Sequence, residues 1–173
     1  QVGKTTVVNE FGSQCDNYLC FNLEMGESVG LFEMDIPLND LVNMLFASLG
    51  KSQKKGSTLI FIDEIQNSPK TIALLRYFYE QRPALYVIAA GSLLENLVDV
   101  NVSFPVGRVM YLALRPCSFY EFLGAIGKNN LLTILSQKAE YSIAFHEQLM
   151  HQFNQYTIIG GMPEAVQHYA ETQ

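Results

Sequence analysis

An α/β fold built on a mostly parallel sheet is predicted by three features of the 173-residue chain. Short apolar runs of strand length alternate with longer amphipathic stretches, the order that crossover connections between parallel strands require. Two of the runs, TLIFID at 58–63 and LYVIAA at 85–90, are apolar without alternation, the mark of strands covered on both faces. Hydrophobic residues make up 49% of the chain and charged residues 16%, which supplies a buried core and excludes a disordered chain.

Each element follows from its local pattern. Residues 4–12 set Val7, Val8 and Phe11 on one side of a short helix that ends at Gly12. YLCFNL at 18–23 is a strand. LNDLVNMLFASL at 38–49 carries apolar residues at helical spacing and is closed by Gly50; Lys51 to Ser57 is a polar loop. After the strand at 58–63, residues 69–81 read as a helix with Pro69 in its first turn. RVMYLAL at 108–114 is a further strand, ended by Pro116, and Ser118 caps a helix running through Leu123. From Leu131 onward the pattern is helical, broken at Gly160-Gly161 and Pro163. A shift in composition near Gly127–Asn130 divides the chain into a core of residues 1–126 and a helical segment of residues 127–173.

Charge and cysteine usage narrow the function classes. Eleven basic against seventeen acidic residues give a net charge of −6, which argues against nucleic-acid binding through the overall field. Lys51, Lys54 and Lys55 form a local basic cluster that reads as a solvated loop. Three cysteines, at 15, 20 and 117, are odd in number and fit no metal spacing; they read as reduced core thiols of a cytoplasmic protein. No apolar run approaches the ~20 residues that span a bilayer, so no membrane partner is expected. His146 and His151 lie five apart, not the four that share a helix face, and His168 has no companion.

The residues with a chemical pattern lie elsewhere. Gly3-Lys4-Thr5-Thr6 matches the second half of a phosphate-binding loop, in which glycines let backbone N–H groups face phosphates and the following helix presents its positive end. In that reading Lys4 reaches the β- and γ-phosphates of ATP and Thr5 sets its hydroxyl on Mg²⁺. The loop's first glycine would fall three residues before Gln1. The strand at 58–63 ends in Asp63-Glu64; a carboxylate at that place supplies the second Mg²⁺ contact, and the next one accepts a proton from the attacking water. Ser92 follows the strand at 85–90 and is placed to orient that water. Arg108, after Gly107, is a candidate for neutralising charge in the transition state, with Arg115 and Arg76 as lesser candidates. The order of these motifs along the chain, rather than any single one, carries the assignment.

Taken together, QVGKTT, LIFIDEIQ, AAGSLLE, GRVMYLALRPCSFYEFL and IIGGMPEAV resemble a prokaryotic family of AAA+-like P-loop ATPases, close to the archaeal ATPases and the STAND NTPases. The phrases SFYEFL and GGMPEAV point to this family in particular; Arg115 departs from its pattern. The resemblance implies a three-layer P-loop NTPase fold with strand order 5-1-4-3-2 and often a C-terminal restriction-endonuclease-like domain. It implies Mg-ATP binding and hydrolysis coupled to conformational change. By the same resemblance Gly3, Lys4, Thr5 and Thr6 hold nucleotide, Thr5 and Asp63 hold the metal, Glu64 and Ser92 act on the water, and Arg108 is the finger candidate. The chain is then expected to be a fragment lacking its first strand and its C-terminal domain, with weak ATP binding and a tendency to aggregate. Alternatives are a nucleotide-dependent interaction module with slow turnover, a small-molecule kinase, and a degenerate scaffold without turnover. Partners are ATP and a protein or a second copy of the chain, with nucleic acid reached only through further domains.

Overall fold

Three parallel strands order the first part of the chain. The computed structural model describes residues 2–91, 107–136 and 142–172. Strand β1 (Asn17–Asn22), β2 (Thr58–Asp63) and β3 (Leu85–Ala89) form one sheet in the order β1-β2-β3. Both pairs are parallel, in a register that sets Asn22 beside Asp63 and Ile62 beside Ala89. The order is the 4-3-2 portion of the arrangement implied by the resemblance.

Helix α1 (Lys4–Gly12) precedes β1; α2 (Gly26–Phe32) and α3 (Leu38–Ser48) connect β1 to β2; α4 (Pro69–Gln81) connects β2 to β3. Both crossovers step the same way along the sheet, so crossovers of one hand put their helices on one face. The core agrees. Leu19 and Phe21 of β1 and Ile60 and Ile62 of β2 pack with Phe32, Leu41, Val42 and Leu45 and with Ile72 and Phe78. The alternate residues Leu59 and Phe61 point to the opposite face and are also fully buried. Every residue of β2 is buried, as its unbroken apolar pattern requires. Burial of such side chains contributes about 1.5–3 kcal/mol each before the entropy of ordering them is counted.

Helix α1 docks by a close approach. A Cβ on Gly12 would lie 2.5 Å from the ring of Tyr18, so only glycine lets the end of α1 meet that strand. The Tyr18 hydroxyl donates to the side-chain oxygen of Asn9. Helix α4 begins as the sequence requires: Pro69 is in the first turn and the Ser68 side chain accepts from the Thr71 N–H.

A second set of helices follows: α5 (Phe119–Ala125), α6 (Asn129–Ser136), α7 (Ile143–Ile159) and α8 (Pro163–Thr172). Ser118 and Glu121 form a reciprocal capping box at the start of α5. Phe119, Phe122, Phe153 and Tyr156 meet at ring-centroid distances of 5.3 to 6.4 Å. The Cys117 N–H donates to the Gly161 carbonyl at 2.7 Å, and the Tyr156 hydroxyl donates to the Cys117 carbonyl at 2.8 Å. By contacts the chain divides into Lys4–Leu112 and a unit of Ala113–Gln173 with Gln1–Gly3.

Four expectations are corrected. The strand at 85–90 is not covered on both faces: none of Leu85–Ala89 is buried, and Tyr86 is 62% exposed. Residues 108–114 are not a strand: they carry no regular structure, and Met110 and Leu112 are 93% and 88% exposed. An apolar run becomes a strand only when a neighbour pairs with its N–H and C=O groups, and no described strand pairs with this one. Residues 26–32, read as no element, form α2; their GESVGLF sequence has two glycines and too few apolar residues for a periodic signal. The cysteines are free but not core thiols: Cys20 is exposed and Cys15 and Cys117 are half-buried.

Candidate functional site

Parallel strands deliver their carboxyl ends to one edge of a sheet, which is where α/β folds place ligands. Here β1 ends at Asn22, β2 at Asp63 and β3 at Ala89. The backbone continues the pairing slightly further. The Leu23 N–H donates to the Asp63 carbonyl at 3.0 Å, the Ala90 N–H to the Ile62 carbonyl at 2.9 Å, and the Ile65 N–H to the Ala90 carbonyl at 3.0 Å. Asp63 and Glu64 are thereby held between two neighbouring strand exits.

Helix α1 brings its first turn to the same edge. The Thr5 hydroxyl donates to Asp63 Oδ2 at 2.7 Å, across 58 residues of sequence. The other carboxylate oxygen, Oδ1, accepts the Glu64 N–H at 3.1 Å. Asp63 is only 7% exposed, so these donors replace water that burial removed. Lys4 occupies the first position of α1, half-buried, and Thr6 is exposed beside Thr5. Gly3, just before the helix, has φ +81°, a conformation that L side chains rarely adopt. The glycine of Gly-Lys-Thr is thus required by the backbone itself. The first N–H groups of a helix lack intrahelical partners and carry its positive end, so this turn suits an anion.

Glu64 departs from the ordinary backbone. It is the one described non-glycine residue at positive φ, with φ 54° and ψ 45°. A single-turn 3₁₀ helix at Ile65–Asn67 follows. The turn is fixed by fully buried Ile65, by the Asn67 N–H on the Glu64 carbonyl at 3.1 Å, and by the Asn67 side-chain amide on the Leu23 carbonyl at 3.3 Å. Gln66 Nε2 donates to Glu64 Oε2 at 2.5 Å.

The structure therefore gathers Thr5, Asp63 and Glu64. Arg108 is engaged elsewhere: its Nε meets Glu80 Oε1 at 3.2 Å, and Arg76 meets the same oxygen at 3.0 Å. Glu80 is in the last turn of α4, which leads into the start of β3, whereas Asp63 ends β2 at the opposite edge. Arg76, through its side-chain hydrogen bond, and then Arg108 hold the Glu80 carboxyl below the usual carboxylate range. Ser92 lies outside the described residues.

The donor set fits a magnesium nucleotide. A hydroxyl and a carboxylate are both hard oxygen ligands, and Mg²⁺ is commonly held by one or two such groups while keeping water and phosphate oxygens. Among the described residues there is no cluster of three histidine, cysteine or acidic side chains that would hold a metal by itself. Neither does any described helix have the length and apolarity to cross a membrane. Reading the sequence missed Gln66 as a site residue. Its only signal was its place in LIFIDEIQ, because the contact to Glu64 depends on a backbone turn that periodicity does not reveal.

No curated protein matches the chain. The family model described as AAA domain matches residues 1–123, a span that holds the whole sheet, helix α1 and the Asp63 edge. With that match covering most of its length, the chain belongs to the AAA domain family of nucleotide-binding ATPases.

Proposed function

We propose that the Thr5–Asp63–Glu64 edge binds and hydrolyses Mg-ATP, and that hydrolysis drives a conformational change in the protein that carries this chain. The observation that carries the reading is the 2.7 Å hydrogen bond from the Thr5 hydroxyl to the Asp63 carboxylate. It joins the two metal-contact positions read from separate motifs.

Each residue has a part. Gly3 lets the chain turn into α1, and the N–H groups of Lys4, Thr5 and Thr6 face phosphate oxygens. Lys4 contributes a compact positive charge to the β- and γ-phosphates. Thr5 and Asp63 would hold Mg²⁺, which when bound draws charge from the phosphate oxygens and orients the terminal phosphate. Glu64 accepts a proton as the water oxygen bonds to the γ-phosphorus. The bond from that phosphorus to the bridging oxygen breaks, and its electron pair leaves with ADP. Ser92, which follows β3 in the sequence, is given the role of orienting the water. For Arg108 to reach the phosphates, its pair with Glu80 has to open. The three free cysteines accord with a cytoplasmic setting. The relationship to archaeal ATPases and STAND NTPases rests on the resemblance of the quoted phrases.

The test pairs Lys4→Ala with Glu64→Gln. Lys4→Ala is expected to abolish Mg-ATP binding, measured by calorimetry. Glu64→Gln is expected to keep binding and lose phosphate release. Binding unchanged in Lys4→Ala would refute the site; binding with no turnover in the unmodified chain would favour an interaction module that senses nucleotide.

A further inference from the structure

Residues two apart on a regular helix do not face one another. Glu64 and Gln66 nevertheless touch, Gln66 Nε2 donating to Glu64 Oε2 at 2.5 Å. The contact exists because Glu64 adopts the left-handed conformation, with φ 54° and ψ 45°, and the chain then enters the tight turn Ile65–Asn67. A non-glycine residue there is strained, and such strain persists only where the surroundings fix it. Here several independent bonds fix it: Glu64 N–H to Asp63 Oδ1, Ile65 N–H to the Ala90 carbonyl, and Asn67 to both the Glu64 and Leu23 carbonyls. The turn is therefore held rigidly, and its local effect is to bring a side-chain amide onto the Glu64 carboxylate.

From this geometry we propose that Gln66 is a positioning residue for Glu64: its amide holds Oε2 and leaves Oε1 as the oxygen that receives the proton from water. The inference rests on the reading of Glu64 as the base. An ionised carboxylate on a long side chain samples many rotamers, and a base works only within hydrogen-bond reach of the proton it takes. One charge-assisted hydrogen bond selects among those rotamers. The donor must be an amide or another N–H group that does not compete for the proton, which glutamine satisfies and a carboxylate does not.

Two measurements test this. The first uses the nucleotide-free chain and follows the Gln66 side-chain amide by ¹⁵N-resolved NMR, assigned by its loss in Gln66→Leu. The two amide protons are expected to differ in shift, and the one that meets Glu64 to change its shift in Glu64→Ala. Signals identical in Glu64→Ala and the unmodified chain would overturn the contact and the proposal. The second compares turnover and ATP binding. Gln66→Leu is expected to lower kcat about tenfold, the worth of one hydrogen bond to a charged group, with Kd for ATP within about twofold. Gln66→Glu, which donates only while protonated, is expected to give a kcat that falls as pH rises where that of the unmodified chain does not. If Glu64→Gln abolishes turnover while Gln66→Leu leaves kcat unchanged, the positioning role is overturned and the base assignment stands. If Glu64→Gln turns over normally, both fall.

Discussion

Replacing Thr5 by valine removes one hydroxyl and almost nothing else. The side chains have the same branched shape and similar helix propensity. What is lost is the donor to Asp63 Oδ2 at 2.7 Å. A hydrogen bond to a charged group is worth about 1.5–3 kcal/mol. Thr5 itself is exposed, so its hydroxyl is close to water and the lower part of that range applies. Asp63, at 7% exposure, cannot replace the donor with bulk water, so the effect does not vanish. The expected loss is about 1.5 kcal/mol. With a urea slope of ~1–3 kcal/mol per molar, the unfolding midpoint of the nucleotide-free protein should drop by roughly 0.5–1.5 M. Asp63→Asn is the partner variant in a double-mutant cycle, and residues in contact should couple by at least ~0.5 kcal/mol. The assay is urea unfolding followed by circular dichroism, repeated with Mg-ATP. Saturating ligand at one hundred times Kd should stabilise the unmodified protein by about 2.7 kcal/mol and Thr5→Val by much less. Additive single variants would refute the argument that the hydroxyl and carboxylate form one site before any ligand arrives.

Further outcomes follow from packing and charge. Gly161→Ala would set a Cβ 2.3 Å from the Cys117 carbonyl oxygen; because the neighbour is backbone, relief requires moving the chain. A loss of about 1–3 kcal/mol is expected, read as a lower melting temperature and a changed near-ultraviolet signal from the aromatic cluster. Phe61→Ala empties a fully buried position of the central strand and should cost about 3–5 kcal/mol in urea unfolding. Acid should destabilise the protein through three carboxyls. The Ser57 N–H and hydroxyl hold the Asp16 carboxyl below its ordinary value, Arg76 and Arg108 do so for Glu80, and the Ser118 N–H and hydroxyl do so for Glu121. Each contributes stability that is full above the unfolded values of about 3.9 and 4.3 and is lost as pH falls through the lower folded value. The urea midpoint should therefore fall below about pH 4, and less steeply in Asp16→Asn; an unchanged acid limb in that variant would refute the assignment.

Much of the fold was legible because local pattern and final environment agree. The unbroken apolar run at 58–63 is a central strand buried on both faces, and the parallel sheet follows from strands alternating with helices. Pro69 and Ser118 mark helix starts because a missing N–H and a capping hydroxyl act within one turn. The segment at 108–114 shows the limit: its residues favour a strand, but a strand is made by its partner, and pairing is not a local property. Helix α2 shows the converse, a weak pattern fixed by burial of Phe32 in the core.

The same division runs through the site. By itself the sequence determined which chemical groups are available: a glycine before a lysine and a threonine at a helix start, and an aspartate and a glutamate at a strand end. These follow from residue type and spacing of a few positions. Only the tertiary structure decided which of them meet. Thr5 reaches Asp63 because helix α1 docks on the sheet, Arg108 meets Glu80 because the chain after Gly107 passes the end of α4, and Gln66 meets Glu64 because one residue turns left-handed. Composition and spacing fix chemistry along the chain, whereas contacts between distant residues depend on packing geometry and backbone dihedrals that no single stretch of sequence contains.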